Sequence, residues 1–263
     1  MPDSDASSTF LPATLRVATY NIHKGVQGLG VARRLEIHNL GLAVEQLDAD
    51  IVCLQEVRKL NRREEAYFSR WPEMPQAEFL APEGYEAIYR TNAYTKDGEH
   101  GNAMLSRWPV LNVRHEDMSD HRFEQRGLLH SEVGVQGLGQ SLHVLVVHLG
   151  LIRASRVRQA EQLDAYIRRE IPADAPLIVA GDFNDWGERV HRLFAAMGLK
   201  TFEPARHPTF PAMLPLVQLD YIYARGGTRG LKALSVEVPR GKAWRRMSDH
   251  LPLIVEFAVE PAA

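Results

Sequence analysis

Apolar and polar positions alternate from Leu15 onward, with Leu15, Val17 and Thr19 on one side and Arg16, Ala18 and Tyr20 on the other. A period of two belongs to a strand, and the pattern predicts one ending at Asn21. Between Leu35 and Asp48 the spacing lengthens, and Leu40, Val44 and Leu47 recur at helical intervals. That helix feeds a short apolar run, Asp50–Leu54, which reads as a buried strand. The stretch 58–100 is polar and punctuated by Trp71, Pro72, Pro75, Pro82 and Gly84, predicting a short helix, loops and a strand near Tyr85–Tyr89. Further strands are predicted over Ala103–Ser106, Gly127–Val135, Ser141–Leu149, Pro176–Ala180, Leu219–Ala224, Leu234–Val238 and Leu251–Val259. Helices are predicted over Ala154–Ile171, with Val157, Ala160, Leu163 and Ile167 inward, and over Gly187–Met197, closed by Gly198. Strands dominate and do not alternate regularly with helices. Two packed sheets with helices outside fit this order better than a doubly wound parallel sheet.

Several apolar runs end in residues suited to phosphate chemistry: Asn21 after Thr19-Tyr20, Gln55-Glu56, His148 after Val144–Val147, Asp182 and Asn184 in Gly181-Asp182-Phe183-Asn184, and Ser248-Asp249-His250. Burying an unpaired polar group costs roughly 2–7 kcal/mol. A shared site explains several such groups at one end of a sheet system more economically than separate compensations. A lone Glu56 would face solvent; together with Asn21 and Asp249 it suggests a hard-metal site. Oxygen ligands without a thiolate select Mg²⁺, Mn²⁺ or Ca²⁺ over zinc, although nearby histidines keep zinc in play. Asp182 and Asn184 suit an Asx turn closing their strand. In a site, Asp182 accepts a proton from water and Asn184 donates to a phosphate oxygen. Neighbours in a strand face opposite ways, so Asp249 and His250 reach one site only at an irregular strand start, which Ser248 and Pro252 suit. Asp220, inward in Leu219-Asp220-Tyr221, needs a partner, and a histidine Nδ1–H, that of His250, fits. His148 alone would be a satisfied core histidine; at a strand tip it suits phosphate contact or proton donation. His23 and His100 are secondary candidates.

The chain has 263 residues, 45% hydrophobic and 24% charged, which suits one large domain or two small ones. Residues 1–14 read as a disordered tail and 15–259 as a single domain, with the last residues frayed. The net charge of −2 gives no global basic field and argues against a tight non-specific DNA binder. Cys53 is the single cysteine, so no disulfide within the chain and no cysteine metal cluster can form; a buried thiol is expected. No run approaches the ~20 apolar residues of a membrane helix, and the N-terminus lacks a signal pattern, so a cytoplasmic location is expected. Basic residues gather at Arg153, Arg156 and Arg158, and at Arg240, Lys242, Arg245 and Arg246 around Trp244. Such runs are commonly solvated faces; beside the candidate site they could steer an anionic substrate. Gly25, Gly28 and Gly30 are too loosely spaced for a nucleotide cradle.

In chain order, Asn21, Gln55-Glu56, Gly101-Asn102-Ala103-Met104-Leu105-Ser106, His148-Leu149, Gly181-Asp182-Phe183-Asn184, Leu219-Asp220-Tyr221 and Ser248-Asp249-His250 resemble the endonuclease/exonuclease/phosphatase superfamily over residues 15–257. The resemblance implies an α+β fold, a four-layer α/β/β/α sandwich of two mixed sheets with the site at one end. It implies Mg²⁺, with Mn²⁺ as the alternative, on Glu56 with Asn21 and Asp249. It implies phosphate or proton-transfer roles for His148, Asp182, Asn184 and His250, with Asp220 orienting His250 and with Arg126 and Asn102 contacting substrate phosphate. The opening Tyr20-Asn21-Ile22-His23-Lys24-Gly25 is similar to a bacterial branch of undefined substrate. His148-Leu149 is shared with the deoxyribonuclease and sphingomyelinase branches; abasic-site endonucleases lack that histidine, and the 5-phosphatase signature is weak. The expected activity is metal-dependent hydrolysis of a phosphodiester, on a phospholipid or small head-group diester or on nucleic acid. The alternatives are a DNA or RNA nuclease and, outside catalysis, a binding module on the same fold. The expected partner is an anionic phosphoester, with nucleic acid or a transiently met membrane surface as its source and no obligate protein partner.

Overall fold

The computed structural model describes residues 13–187, 189–201, 206–226 and 230–259. The chain enters as β1 (Ala13–Asn21), forms a short hairpin of β2 (Val26–Gln27) and β3 (Arg34–Leu35), and returns through α1 (Ile37–Leu47) to β4 (Ile51–Val57). Two short helices, α2 (Arg62–Tyr67) and α3 (Gln76–Leu80), precede the hairpin β5 (Glu86–Thr95) and β6 (Gly98–Ser106). A meander of β7 (Val110–Asp117), β8 (Gly127–Val133) and β9 (Leu142–His148) leads into α4 (Arg153–Glu170), β10 (Leu177–Asp182), α5 (Arg189–Ala196) and β11 (Asp220–Arg225). The last elements are β12 (Leu231–Glu237), α6 (Trp244–Met247) and β13 (Leu253–Val259).

The larger sheet runs β12-β13-β1-β4-β6-β5 and the other β11-β10-β9-β8-β7. Each contains one parallel pair, β1 with β4 and β9 with β10, so both are mixed. Their inner faces share one core, in which Leu15, Val17, Cys53 and Met104 meet Leu129, Val144, Val146 and Ile178. The outer face of the larger sheet packs Tyr20, Val52 and Leu54 on Ile37, Leu40 and Val44 of α1. That of the smaller packs Leu145, Val147 and Val179 on Ala160, Leu163 and Ile167 of α4. The result is the expected helix–sheet–sheet–helix sandwich.

Register decides where the site falls. In the parallel pairs both C-terminal ends share an edge, and Asn21 pairs with Gln55 and Asp182 with His148. In the antiparallel pairs a start meets an end: Asp220 opens β11 opposite Asp182, and Leu253 opens β13 opposite Thr19. The residues just before Leu253 therefore arrive beside Asn21.

Some elements differ from the sequence expectation. β1 starts at Ala13, two residues inside the expected tail, while residues 1–12 and 260–263 of the predicted frayed ends lie outside the described residues. β7 has no sequence signal, because it is an edge strand with half-exposed positions on both faces and no alternation to read. β6 extends back to Gly98 because its polar first half pairs with β5. α4 is turned from its predicted face: Val157 is only half-buried, while Arg156, Gln159 and Tyr166 join the inward row. β1 buries Val17, Ala18 and Tyr20 alike, since a central strand of a covered sheet has no solvent face. Cys53 is buried and unbonded. Among the described residues no helix is long and apolar enough to cross a membrane.

Candidate active site

Asp182, at the tip of β10, is buried and lies at the centre of the converging strand ends. Its Oδ1 accepts the Asn184 backbone N–H at 2.9 Å, an Asx turn, and its Oδ2 accepts from Asn21 Nδ2 at 3.1 Å. The turn and the site are thus one structure. The same Oδ2 lies 3.6 Å from His148 Nε2 and 3.6 Å from His250 Nε2, an electrostatic separation longer than a hydrogen bond. Behind His250, its Nδ1–H donates to Asp220 Oδ2 at 2.8 Å, and Thr209 Oγ1 donates to the same oxygen at 2.6 Å.

These contacts give the two imidazoles opposite protonation states. Burial, reinforced by the Arg126 charge, holds His148 well below the usual histidine range, so it is neutral. Burial alone would depress His250 too, but Asp220 foremost, then Asp182, push it up to about 10. It carries its charge at neutral pH. Burial foremost, with Asp220 adding, pushes Asp182 up to about 7, against the pull of His250. A carboxyl near neutrality between a neutral and a charged imidazole is an arrangement for moving protons.

The second group gathers around Asn21. Its Nδ2 lies 3.5 Å from Glu56 Oε1, and its backbone carbonyl accepts from Ser248 Oγ at 2.6 Å. Asp249 follows Ser248 and meets His23 Nδ1 at 3.1 Å. Glu56 meets Lys24 Nζ at 2.6 Å. Burial opposes the Glu56 charge, yet the Lys24 ammonium foremost holds the carboxyl well below the usual range. Burial likewise opposes ionisation of Asp249, and the His23 hydrogen bond foremost holds it low. His23, Lys24, Glu56 and Asn184 all have positive φ, a conformation costing on the order of 1–3 kcal/mol per residue that concentrates at functional sites. At Glu56 the cause is local, since the pairing of β4 with β6 slips between Leu54 and Val57.

An all-oxygen set of Glu56, Asn21 and Asp249 fits a hard dication, and Glu56 already binds a cation, the Lys24 ammonium. Among the described residues two compact trios of acid and histidine ligand atoms occur, Asp182–Asp220–His250 and His130–Glu132–His143, and neither contains Glu56 or Asp249. In the first trio the charged His250 is held between carboxylates, which is an ion-pair arrangement.

Asn184 Nδ2 donates to Leu149 O at 2.9 Å. The Arg126 guanidinium is held by Glu124 at 3.2 Å and by Gln125 O at 3.3 Å, within electrostatic reach of His148. Asn102 departs from its expected phosphate role. Its Nδ2 hydrogens go to Gly127 O at 2.9 Å and Val146 O at 3.0 Å, so the side chain ties β6 of one sheet to β8 and β9 of the other and has no N–H left for a phosphate. His100 is held to about 4 by burial foremost, with Lys24 adding.

Lys24 and Thr209 were not singled out from sequence. Lys24 stands inside a recognisable segment, but its partner is 32 positions away. Thr209 lies in an irregular stretch with no periodicity.

The chain belongs to the Endonuclease/Exonuclease/phosphatase family, whose pattern matches residues 18–250. The uncharacterized protein YbhP of Escherichia coli strain K12 is 37% identical to it over 268 residues, spanning 98% of this chain and 99% of YbhP. Two solved structures illustrate the shared fold. The mannosyl-6-phosphatase of Bacteroides thetaiotaomicron VPI-5482 aligns with a TM-score of 0.68 at 20% identity, over 92% of this chain and 99% of that one. The human Nocturnin catalytic domain with bound sulfate aligns with a TM-score of 0.68 at 22% identity, over 95% and 96%.

Proposed function

We propose that the protein is a divalent-metal-dependent hydrolase of phosphoric esters that cleaves a phosphodiester by in-line attack of water. The observation that carries this reading is Asp182 Oδ2, a buried carboxylate oxygen facing the imidazoles of His148 and His250. Asp182 takes the proton of the attacking water, since a group held near neutrality serves as a general base at the pH where the protein works. His250, charged and oriented by Asp220, stabilises the negative charge that builds on the phosphoryl oxygens. Neutral His148 and Asn184 contact the phosphate, and Arg126 adds positive field beside them. Glu56, Asn21 and Asp249 would hold Mg²⁺ or Mn²⁺, which when bound neutralises charge on a non-bridging oxygen. The phosphatase named among the structural relatives and the sulfate held by Nocturnin are consistent with oxyanion chemistry on this fold.

The test is turnover of bis-p-nitrophenyl phosphate and of a panel of DNA, RNA, phospholipids and sugar or inositol phosphates, with Mg²⁺ or Mn²⁺. Hydrolysis that vanishes with EDTA and in Asp182→Asn supports the reading. A well-folded preparation inert toward every ester with either ion refutes it.

A further inference from the structure

We propose that the rim of the site docks on an anionic phospholipid surface, so that the phosphoester it takes is a lipid head group. The proposal rests on the hydrolase reading for its catalytic part but stands on a separate observation, the chemistry of the connections around the site.

Those connections follow β9 and β10 and precede β8, β11 and β13. Four of them carry an exposed apolar side chain: Phe123 at 81% exposure, Leu151, Trp186, and Leu216 at 70% beside Leu214. Hydrogen bonds and ring contacts place these segments around the catalytic groups. Ala212 N–H donates to Asp249 O at 2.7 Å, which sets the segment of Leu214 and Leu216 against the Asp249 backbone. Trp186 stacks edge-on to Phe210 at 5.7 Å, and Phe210 lies 4.9 Å from the His250 ring. Leu151 N–H donates to Glu124, joining the segment after His148 to the one that carries Phe123 and Arg126. Scattered exposed apolar residues are ordinary on a monomer; a ring of them around one site marks an interaction surface.

The fully exposed charges around these segments are basic. Arg122, Arg153, Lys242 and Arg245 are exposed, with the Arg122 guanidinium 4.7 Å over the Phe123 ring. Among the described residues of these connections the carboxylates are taken up locally: Asp120 is bound by Arg158, Glu124 by Arg126, Asp185 is buried, and the part-exposed Asp249 is paired with His23 at 3.1 Å. The chain as a whole carries −2, so the rim runs against its net charge. Apolar tips among basic residues match a membrane interface, where the tips enter the acyl boundary and the cations meet anionic head groups. Nucleic acid would engage the same charges, but it stacks on aromatic faces, and most of these tips are aliphatic. The site then faces the plane in which lipid phosphates lie.

The experiment uses the full chain and its Leu214→Ser/Leu216→Ser and Phe123→Ser variants, none of which touches the catalytic groups. Co-sedimentation is measured with phosphatidylglycerol–phosphatidylcholine vesicles, with pure phosphatidylcholine vesicles and, in competition, with single-stranded DNA. The expected result is binding to the anionic vesicles that weakens with salt, at least tenfold weaker binding by the double variant, and weak binding to neutral vesicles. Bis-p-nitrophenyl phosphate turnover and melting temperature should match the parent, showing intact folding. Absence of binding to anionic vesicles, or equal binding by parent and variants, overturns the proposal. Displacement from vesicles by DNA at lower concentration than lipid overturns it in favour of nucleic acid. Vesicle binding without hydrolysis of any ester would leave docking standing and refute the hydrolase reading, whereas hydrolysis without vesicle binding would do the reverse.

Discussion

Replacing Asp220 by Asn removes one charge from a buried pair while nearly preserving its shape. Asp220 Oδ2 accepts from both His250 and Thr209, and Asn retains one acceptor oxygen for the imidazole. The His250 rise to about 10 from an ordinary value near 6.5 is worth about 5 kcal/mol at 1.36 kcal/mol per unit. Asp182 and Asp249 share in that rise, so losing Asp220 should cost less than the whole, within the roughly 3–5 kcal/mol for breaking a buried pair. His250 is raised above its unfolded value. Its stabilising contribution is therefore complete below about pH 6.5 and fades as pH climbs toward 10. In Asp220→Asn, the unfolding free energy measured by denaturant should fall by about 3 kcal/mol at pH 6, with the gap to the parent narrowing by pH 10. The His250 Cε1–H resonance should titrate several units lower than in the parent. A variant whose His250 still titrates near 10, or whose deficit is the same at both pH values, would refute the assignment of Asp220 as the charge that holds His250 protonated.

Three further outcomes follow from the geometry. Lys24→Met removes the ammonium that sits 2.6 Å from Glu56, so Mg²⁺ should bind tighter by at least about fivefold in calorimetry, on the order of 1 kcal/mol; weaker binding would show that Lys24 does not compete for that position. Asn102→Leu breaks two bonds between the sheets and should cost about 2–3 kcal/mol in thermal or denaturant unfolding with KM for a phosphoester unchanged, whereas a raised KM at full stability would restore its phosphate role. Burial foremost, with His143 adding, holds His130 to about 4, and burial likewise depresses His143. Both are neutral in the fold, so the stability they allow is present above about pH 6.5 and lost as pH falls toward 4. The denaturant midpoint should drop between pH 7 and pH 5, less steeply in His130→Gln; an identical drop would place the acid sensitivity elsewhere.

The strand tips were legible because periodicity and termination are local. An apolar run ending in Asn21, His148 or Asp182 marks both a strand and a polar group that needs company. The pairing of Asp220 with His250 was legible for a related reason, since an inward carboxylate in an apolar strand demands a cationic partner. The position of β7, the inward turn of Arg156 and Tyr166 on α4 and the attachment of Lys24 to Glu56 were not legible, because edge exposure, helix rotation and long-range contact leave no periodic trace.

By itself the amino-acid order determined which side chains would stand at strand ends. Only the tertiary structure decided that Asn102 serves as a tie between sheets, that burial and Asp220 push the two imidazoles in opposite directions, and that the connections after β9 and β10 leave Leu151 and Trp186 exposed. The physical reason is that protonation and hydrogen-bond allegiance depend on what lies within a few ångströms, and sheet register rather than sequence distance sets that company.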